Sequence, residues 1–227
     1  MSKICFNIVT HNRRQDFNQL IASIEDNIDM FNKFNVDIVV LDNESDKPVR
    51  SSHLHKLHRV NDQKESGGLV GAWEFITNTY IRDYEYFVYS NHDVVIDSSI
   101  GNFFWSLHSQ SGNFVMGPTS NPGGANVHQN GEPDLYDAIT TNTRRMKISN
   151  PIENMQLVHG FFWATNKQSL ETAKYSTYKY FNPLKPFAGC EDDWQMRLYH
   201  EDNNTKFLIE KAAYVKHTHY SDWKKHD

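Results

Sequence analysis

Tyr86-Phe87-Val88-Tyr89-Ser90-Asn91-His92-Asp93 is an apolar run that stops on four polar residues. Four apolar or aromatic residues in a row have the habit of a strand buried in a parallel sheet. The triplet Asn91-His92-Asp93 then falls where the strand leaves the sheet. In open α/β sheets that is where ligands bind, beyond the carboxyl ends of the strands. On its own such a triplet is more often a turn, because Asn and Asp side chains hydrogen-bond their own backbone. Its surroundings decide between the two.

Toward the N-terminus, Ile4 to Thr10 is a second apolar, partly β-branched run, broken by His11-Asn12-Arg13-Arg14. Phe17, Leu20, Ile21, Ile24 and Ile28 follow at spacings of three and four, which predicts one amphipathic helix. Val36 to Leu41 reads as another strand and stops on Asp42-Asn43-Glu44-Ser45-Asp46. Strand, helix, strand over this length is a βαβ unit with a right-handed crossover. Residues 51–60 read as a short helix and strand. Ser66-Gly67-Gly68 signals a loop, with a helix opening after it through Leu69, Ala72, Trp73, Phe75, Ile76 and Tyr80.

Toward the C-terminus, Phe103, Phe104 and Leu107 mark a helix, and Phe114 to Gly117 a strand. From Pro118 to about Pro151 periodicity fails. A loop of that length in a compact domain is functional or mobile. Order resumes at Leu157 to Ala164, then a helix over about 166–173. A helix from Glu191 to Tyr199 has an acidic first turn. Two late strands, Phe207 to Ile209 and Ala212 to Val215, lead to His217-Thr218-His219, and the tail from Lys224 is expected to fray. No repeat or interdomain linker interrupts the pattern. The expectation is one α/β domain with a central, mostly parallel sheet flanked by helices.

Bulk properties narrow the function classes. The chain has 227 residues, 38% hydrophobic and 22% charged, enough to bury a substantial core. A net charge of −5 argues against a nucleic-acid binder. Two cysteines, Cys5 and Cys190, are too few for a disulfide framework, and Cys5 reads as a buried free thiol. No signal peptide is visible and no segment approaches the roughly 20 apolar residues of a membrane span. A cytoplasmic protein is the simplest expectation. Nothing in the pattern specifies an oligomeric state.

Three polar clusters close strands of one sheet: Thr10-His11-Asn12-Arg13, Asp42 through Asp46, and Asn91-His92-Asp93. Their recurrence predicts a cleft able to grip a ligand with a base and a ribose. Asn91-His92-Asp93 has the form of a degenerate D-x-D. Asp93 is the candidate ligand for Mn²⁺ or Mg²⁺, whose shell diphosphate oxygens and water would complete. Asn91 would bind ribose or a metal-bound water. Glu191-Asp192-Asp193 suits a helix N-terminus on dipole grounds alone, and is also a candidate source of a general base. His217 and His219, two apart on an extended segment, point to opposite faces, so one of them is a candidate metal ligand. Arg144-Arg145 could meet a diphosphate or form a solvated basic turn. Gly67-Gly68 could let backbone approach a phosphate.

The order of these motifs resembles the GT-A-fold glycosyltransferases, especially the inverting family that includes bacterial rhamnosyltransferases. Four stretches carry the resemblance: Ile8 to Arg13, Ile38 to Asp46, Tyr89 to Asp97, and Phe187 to Trp194 with Arg197. They span nearly the whole chain, from residue 4 to about 200. The resemblance implies a metal-dependent inverting enzyme that moves a hexosyl or deoxyhexosyl group from a nucleoside diphosphate sugar to a hydroxyl of a glycan or glycoprotein. It implies a nucleotide-binding part over about 1–97 and an acceptor-side part over about 98–227.

The implied donor contacts are Thr10, His11, Asn12, Arg13, Asp42, Asn43, Asp46, Gly68, Asn91 and His92. Asp93 is the implied metal ligand, and His217 resembles a family histidine that can reach the metal. Asp192 is the implied base, with Glu191 as the alternative, because the acidic motif is one residue short before Arg197. Trp163, Asp193 and Trp194 are expected on the acceptor. Two other readings stand beside this one. A sugar-1-phosphate nucleotidyltransferase would carry a glycine-rich loop where Thr10-His11-Asn12-Arg13 stands. A non-catalytic sugar-binding or scaffold domain would explain Asn91 in place of an acid.

Overall fold

The computed structural model describes residues 2–51, 54–60, 67–121, 129, 144–145, 157–185 and 189–218. The first strand, β1 (Ile4–Thr10), pairs in parallel with β2 (Val36–Asn43) on one side and β4 (Tyr86–Asn91) on the other. β3 (Lys56–Val60) adds to β2, also in parallel. Register levels the three strand ends: Thr10 lies opposite Asp42, and Val9 opposite Asn91. The three polar clusters therefore emerge side by side, as the spacing predicted.

The remaining strands make the sheet mixed rather than mostly parallel. β8 (Phe162–Asn166) is wedged antiparallel between β4 and β6 (Phe114–Thr119), and β9 (Lys206–His217) runs parallel to β6. β5 (Val94–Ile96) and β7 (Arg144–Arg145) pair antiparallel with β9. Being antiparallel, β8 brings its N-terminal end to the edge where β1, β2 and β4 finish. Ser90 pairs with Phe162, and the Asn91 N–H donates to the Phe161 carbonyl.

The helix expected through Ile28 is two helices, α1 (Arg14–Glu25) and α2 (Ile28–Lys33). Asn27 lies between them, and its side-chain amide donates to the Ser23 carbonyl at 2.8 Å, satisfying a C-terminal acceptor of α1. The two late strands expected over 207–215 are one strand with a bulge. Pairing with β6 jumps from Glu210 to Tyr214, and the buried Glu210 carboxylate accepts the Ala212 N–H and the Ser106 hydroxyl inside that bulge.

Side chains alternate along β1. Ile4, Phe6 and Ile8 enter a core layer with α1, α2 and α4 (Ile100–Ser109). Cys5 and Val9 enter the other, under α3 (Gly68–Tyr80), α5 (Lys167–Thr172) and α6 (Cys190–Glu201). Burial pushes the free Cys5 thiol pKa far up, and it behaves as a small hydrophobe. The second layer is aromatic: Trp163 stacks on Tyr89 at 4.4 Å and tilts against Trp194 at 5.1 Å. No helix among the described residues is long and apolar enough to cross a membrane.

Candidate active site

The loops after β1 and β2 are tied together by side chain to backbone bonds. His11 Nδ1 donates to the Asn43 carbonyl at 2.8 Å, the Asn12 N–H donates to Ser45 Oγ at 3.0 Å, and Asn12 Oδ1 accepts the Asp46 N–H at 2.8 Å. The tightness costs backbone freedom: Asn12 has φ 52° and Glu44 φ 64°, the left-handed region that few non-glycine residues adopt. Asp42 is the internal brace. It is 1% exposed, and its two carboxylate oxygens accept the N–H groups of Ser45 and Val49. Its visible role is thus to hold the loop.

A cleft of ≈ 380 Å³ opens between these loops. Thr10, His11, Arg13 and Asn43 line one side, and Asn91, His92 and Asp93 the other, with Val9 and Leu69 as its apolar contribution. Seven of the residues picked from sequence meet here. Asn12 and Asp42 stand behind the lining and shape it. Gly68 (φ 66°) opens α3 after Gly67 (φ 75°), immediately before Leu69. His92 Nδ1 donates to the Val9 carbonyl at 3.2 Å, and burial lowers its pKa against the opposing pull of Asp93.

Asp93 reaches His217, with 3.2 Å between Oδ2 and Nε2. Burial would raise the Asp93 pKa, but the hydrogen bond and charge of His217, together with His92, outweigh it and lower it. The pair is held from behind. The Thr218 N–H and hydroxyl both donate to the Asp93 carbonyl at 2.9 Å. The Asn121 side chain brackets the His217 backbone, accepting its N–H at 2.7 Å and donating to its carbonyl at 2.9 Å. The Phe161 ring lies flat on the imidazole, 4.9 Å between centroids.

Among the described residues, Asp93 Oδ1 and His217 Nδ1 are buried with no hydrogen-bond partner. Their other two atoms, Asp93 Oδ2 and His217 Nε2, lie 3.2 Å apart, a spacing that suits a small divalent ion, since octahedral ligands at about 2.1 Å lie roughly 3.0 Å from their neighbours. The donor set therefore fits Mn²⁺ or Mg²⁺ through two protein ligands. Among the described residues no group of three or more His, Cys, Asp or Glu is arranged to hold a metal.

The acidic turn opens α6 behind Gly189, which is at φ 66°. Its three carboxylates have different surroundings. Asp193 is paired with Arg197 at 3.1 Å and accepts from Asn182, so it is committed to the protein. Glu191 lies against Gly160 and accepts from the Cys190 thiol at 3.2 Å. Asp192 is exposed, yet neighbouring atoms crowd its carboxyl. That partial burial, reinforced by the charge of Glu191 and opposed by Lys185, raises its pKa to about 6.

The expectation that Trp163 and Trp194 stack on acceptor is corrected by the packing. Both are 0% exposed and face each other inside the second core layer, so neither offers a ring face to a ligand. His159 was missed from sequence. Its backbone N–H donates to the buried Gln129 side chain at 2.7 Å, and its ring lies near Phe161 and under the electrostatic influence of Glu191 and His217. Burial lowers its pKa. Its signal would have been a polar residue just before an apolar strand, read with that strand antiparallel. His219, Ser221, the tail from Lys224, Ser66, Phe187 and most of the 118–151 loop lie outside the described residues. Arg144 and Arg145 form β7, beside β9.

No family model matches the chain, and no curated protein does. Solved structures do. S. aureus TarS 1-349 matches with a TM-score of 0.63 at 16% identity, over 98% of this chain and 62% of that one. GalNAc-T7 with UDP, GalNAc and Mn²⁺ matches with a TM-score of 0.65 at 14% identity, over 96% and 44%. The mannosyltransferase PcManGT from Pyrobaculum calidifontis, in complex with GDP-Man and Mn²⁺, matches with a TM-score of 0.60 at 14% identity, over 98% and 60%. The fold is that of the GT-A glycosyltransferases. At these identities the likeness is one of fold. The chain spans less than two thirds of the length of each of these proteins.

Proposed function

We propose that the chain is a metal-dependent, inverting glycosyltransferase that moves a sugar from a nucleoside diphosphate sugar to a hydroxyl of a glycan or glycoprotein. The observation that carries the reading is the Asp93–His217 pair at the edge of a cleft formed by three levelled strand ends. Thr10, His11, Asn43 and Asn91 offer hydrogen-bonding groups for a base and ribose, and Arg13 a positive charge for the diphosphate. Asp93 and His217 would hold Mn²⁺ or Mg²⁺, which when bound offsets the negative charge of a departing diphosphate. Asp192 accepts the proton of the acceptor hydroxyl as that oxygen attacks the anomeric carbon. Its pKa of about 6 leaves it charged at neutral pH yet basic enough to take a proton. Glu191, set against Gly160, is the less free of the two candidates.

A second reading, a sugar-nucleotide-binding domain without turnover, is favoured by Asn91 standing where an acid is usual. One experiment separates them: incubation with UDP- and GDP-sugars and Mn²⁺, measuring nucleoside diphosphate release and transfer to glycan acceptors. Turnover with one donor is expected, falling about 100-fold in Asp93→Ala. Binding without release would favour the second reading. Unchanged turnover of Asp93→Ala under saturating Mn²⁺ would show the metal assignment to be wrong.

A further inference from the structure

His217 is the last residue of β9 and pairs with Val94 of β5 in an antiparallel ladder. Asp93 precedes Val94, Thr218 follows His217, and the Thr218 N–H donates to the Asp93 carbonyl. In an antiparallel ladder that bond flanks a pair with no hydrogen bonds of its own. The His217 N–H and carbonyl therefore both point away from β5. On that side the ladder between β6 and β9 has already ended, at Thr119 and Tyr214. His217 is 5% exposed, and a buried residue with two open backbone groups is costly.

Asn121, just past the last rung of β6, closes the gap. Its Oδ1 accepts the His217 N–H at 2.7 Å, and its Nδ2 donates to the His217 carbonyl at 2.9 Å. A side-chain amide carries the same acceptor and donor as a peptide group, so one residue stands in for the missing strand. Only one orientation of the amide serves both groups, and Ser120 Oγ, donating to Oδ1 at 3.1 Å, supports that one. Phe161 packs on the imidazole face, while Asn121 fixes the backbone that carries the ring. We propose that Asn121 is a positioning residue for the metal, holding His217 so that its Nε2 meets Asp93 Oδ2. The proposal rests on the reading of Asp93 and His217 as the metal pair. Partners that orient a metal ligand are typically worth about 10–100-fold in metal affinity.

The experiment measures Mn²⁺ binding by electron paramagnetic resonance, with saturating UDP or GDP, for wild type, Asn121→Ala, Asn121→Asp and His217→Ala. The signal of free Mn²⁺ gives the affinity, and a pulsed measurement reads the nitrogen coupling of a metal-bound imidazole. Wild type is expected to show that coupling and His217→Ala to lack it. Asn121→Ala is expected to bind Mn²⁺ about tenfold more weakly, with the coupling diminished. Asn121→Asp is nearly isosteric, keeps the acceptor for the His217 N–H and loses the donor to the carbonyl. Its affinity should fall between those of wild type and Asn121→Ala, and it decides the matter if the alanine variant fails to fold. Wild-type affinity and coupling in the Asn121 variants overturn the proposal and leave the metal reading standing. Weaker binding with the coupling intact also overturns it, by showing that His217 is placed without Asn121. Coupling that is absent from wild type, or that persists in His217→Ala, removes His217 from the metal and the proposal with it. If wild type binds no Mn²⁺ with either nucleotide, the metal reading itself falls.

Discussion

A methyl group on Gly160 tests how Glu191 is seated. A Cβ built there would overlap Glu191 Oε1 and Cδ and come within 2.7 Å of Cγ, and these are its three nearest neighbours. The Gly160 backbone lies outside the left-handed region, so alanine itself brings no φ strain. Two opposing terms follow. Overpacking costs about 1–3 kcal/mol, at the lower end here because the obstruction is the movable end of a side chain. Against it, Gly→Ala at a compatible φ gains about 0.4–1 kcal/mol by restricting the unfolded chain. In the native background the first wins, and Gly160→Ala is destabilising by about 1 kcal/mol. In a Glu191→Ala background the obstruction is gone, and the same substitution is stabilising by about 0.5 kcal/mol. The sign reversal amounts to a coupling of roughly 1.5 kcal/mol. Urea denaturation of the four proteins, with a check that the m-value is constant, measures it. Additivity within about 0.5 kcal/mol would refute the packing of Glu191 on Gly160.

If Asp192 is the base, it is active when deprotonated. Below its pKa of about 6 it is protonated, so kcat/KM should rise about tenfold per pH unit up to that value and then level, and Asp192→Asn should abolish transfer while keeping donor binding. A flat profile between pH 5 and 7 would exclude it. Trp163→Ala should destabilise the protein by about 3–5 kcal/mol, because the indole is 0% exposed, whereas Tyr178→Ala, at a residue 85% exposed, should fall within about 0.5 kcal/mol of zero. Loss of acceptor binding at native stability in Trp163→Ala would restore that residue to the site.

Much of the cleft was legible in the sequence for a physical reason. Parallel strands buried on both faces are written as unbroken apolar runs, and their ends as abrupt polar stops. Thr10, Asp42 and Asn91 could therefore be aligned before any coordinates. What was hidden depends on direction and partnership. The run from Leu157 to Ala164 looks the same whether a strand enters the sheet parallel or antiparallel, so nothing in it marks His159 as different from its neighbours. The buried tryptophans misled similarly. An indole in an acidic neighbourhood suggests a sugar platform, but aromatic side chains dominate cores as well, and only the contacts of Trp194 with Trp163 and Phe181 distinguish the two. Glu210 was invisible because a charged residue inside an apolar strand reads as a break between strands. Here it satisfies a bulge within one.

The bracing between the loops after β1 and β2 bears on ancestry. Surface loops ordinarily gain and lose residues freely, since extra length costs little closure entropy. These two do not have that latitude. A single residue inserted between Thr10 and Arg13 would carry Asn12 out of reach of both Ser45 and Asp46, and one inserted after Asp42 would pull Ser45 off its carboxylate. Residue count and the bracing side chains constrain each other here, so in very distant relatives the trace of common descent is to be sought in the lengths of these two turns together with the residues standing at Asn12, Asp42 and Ser45.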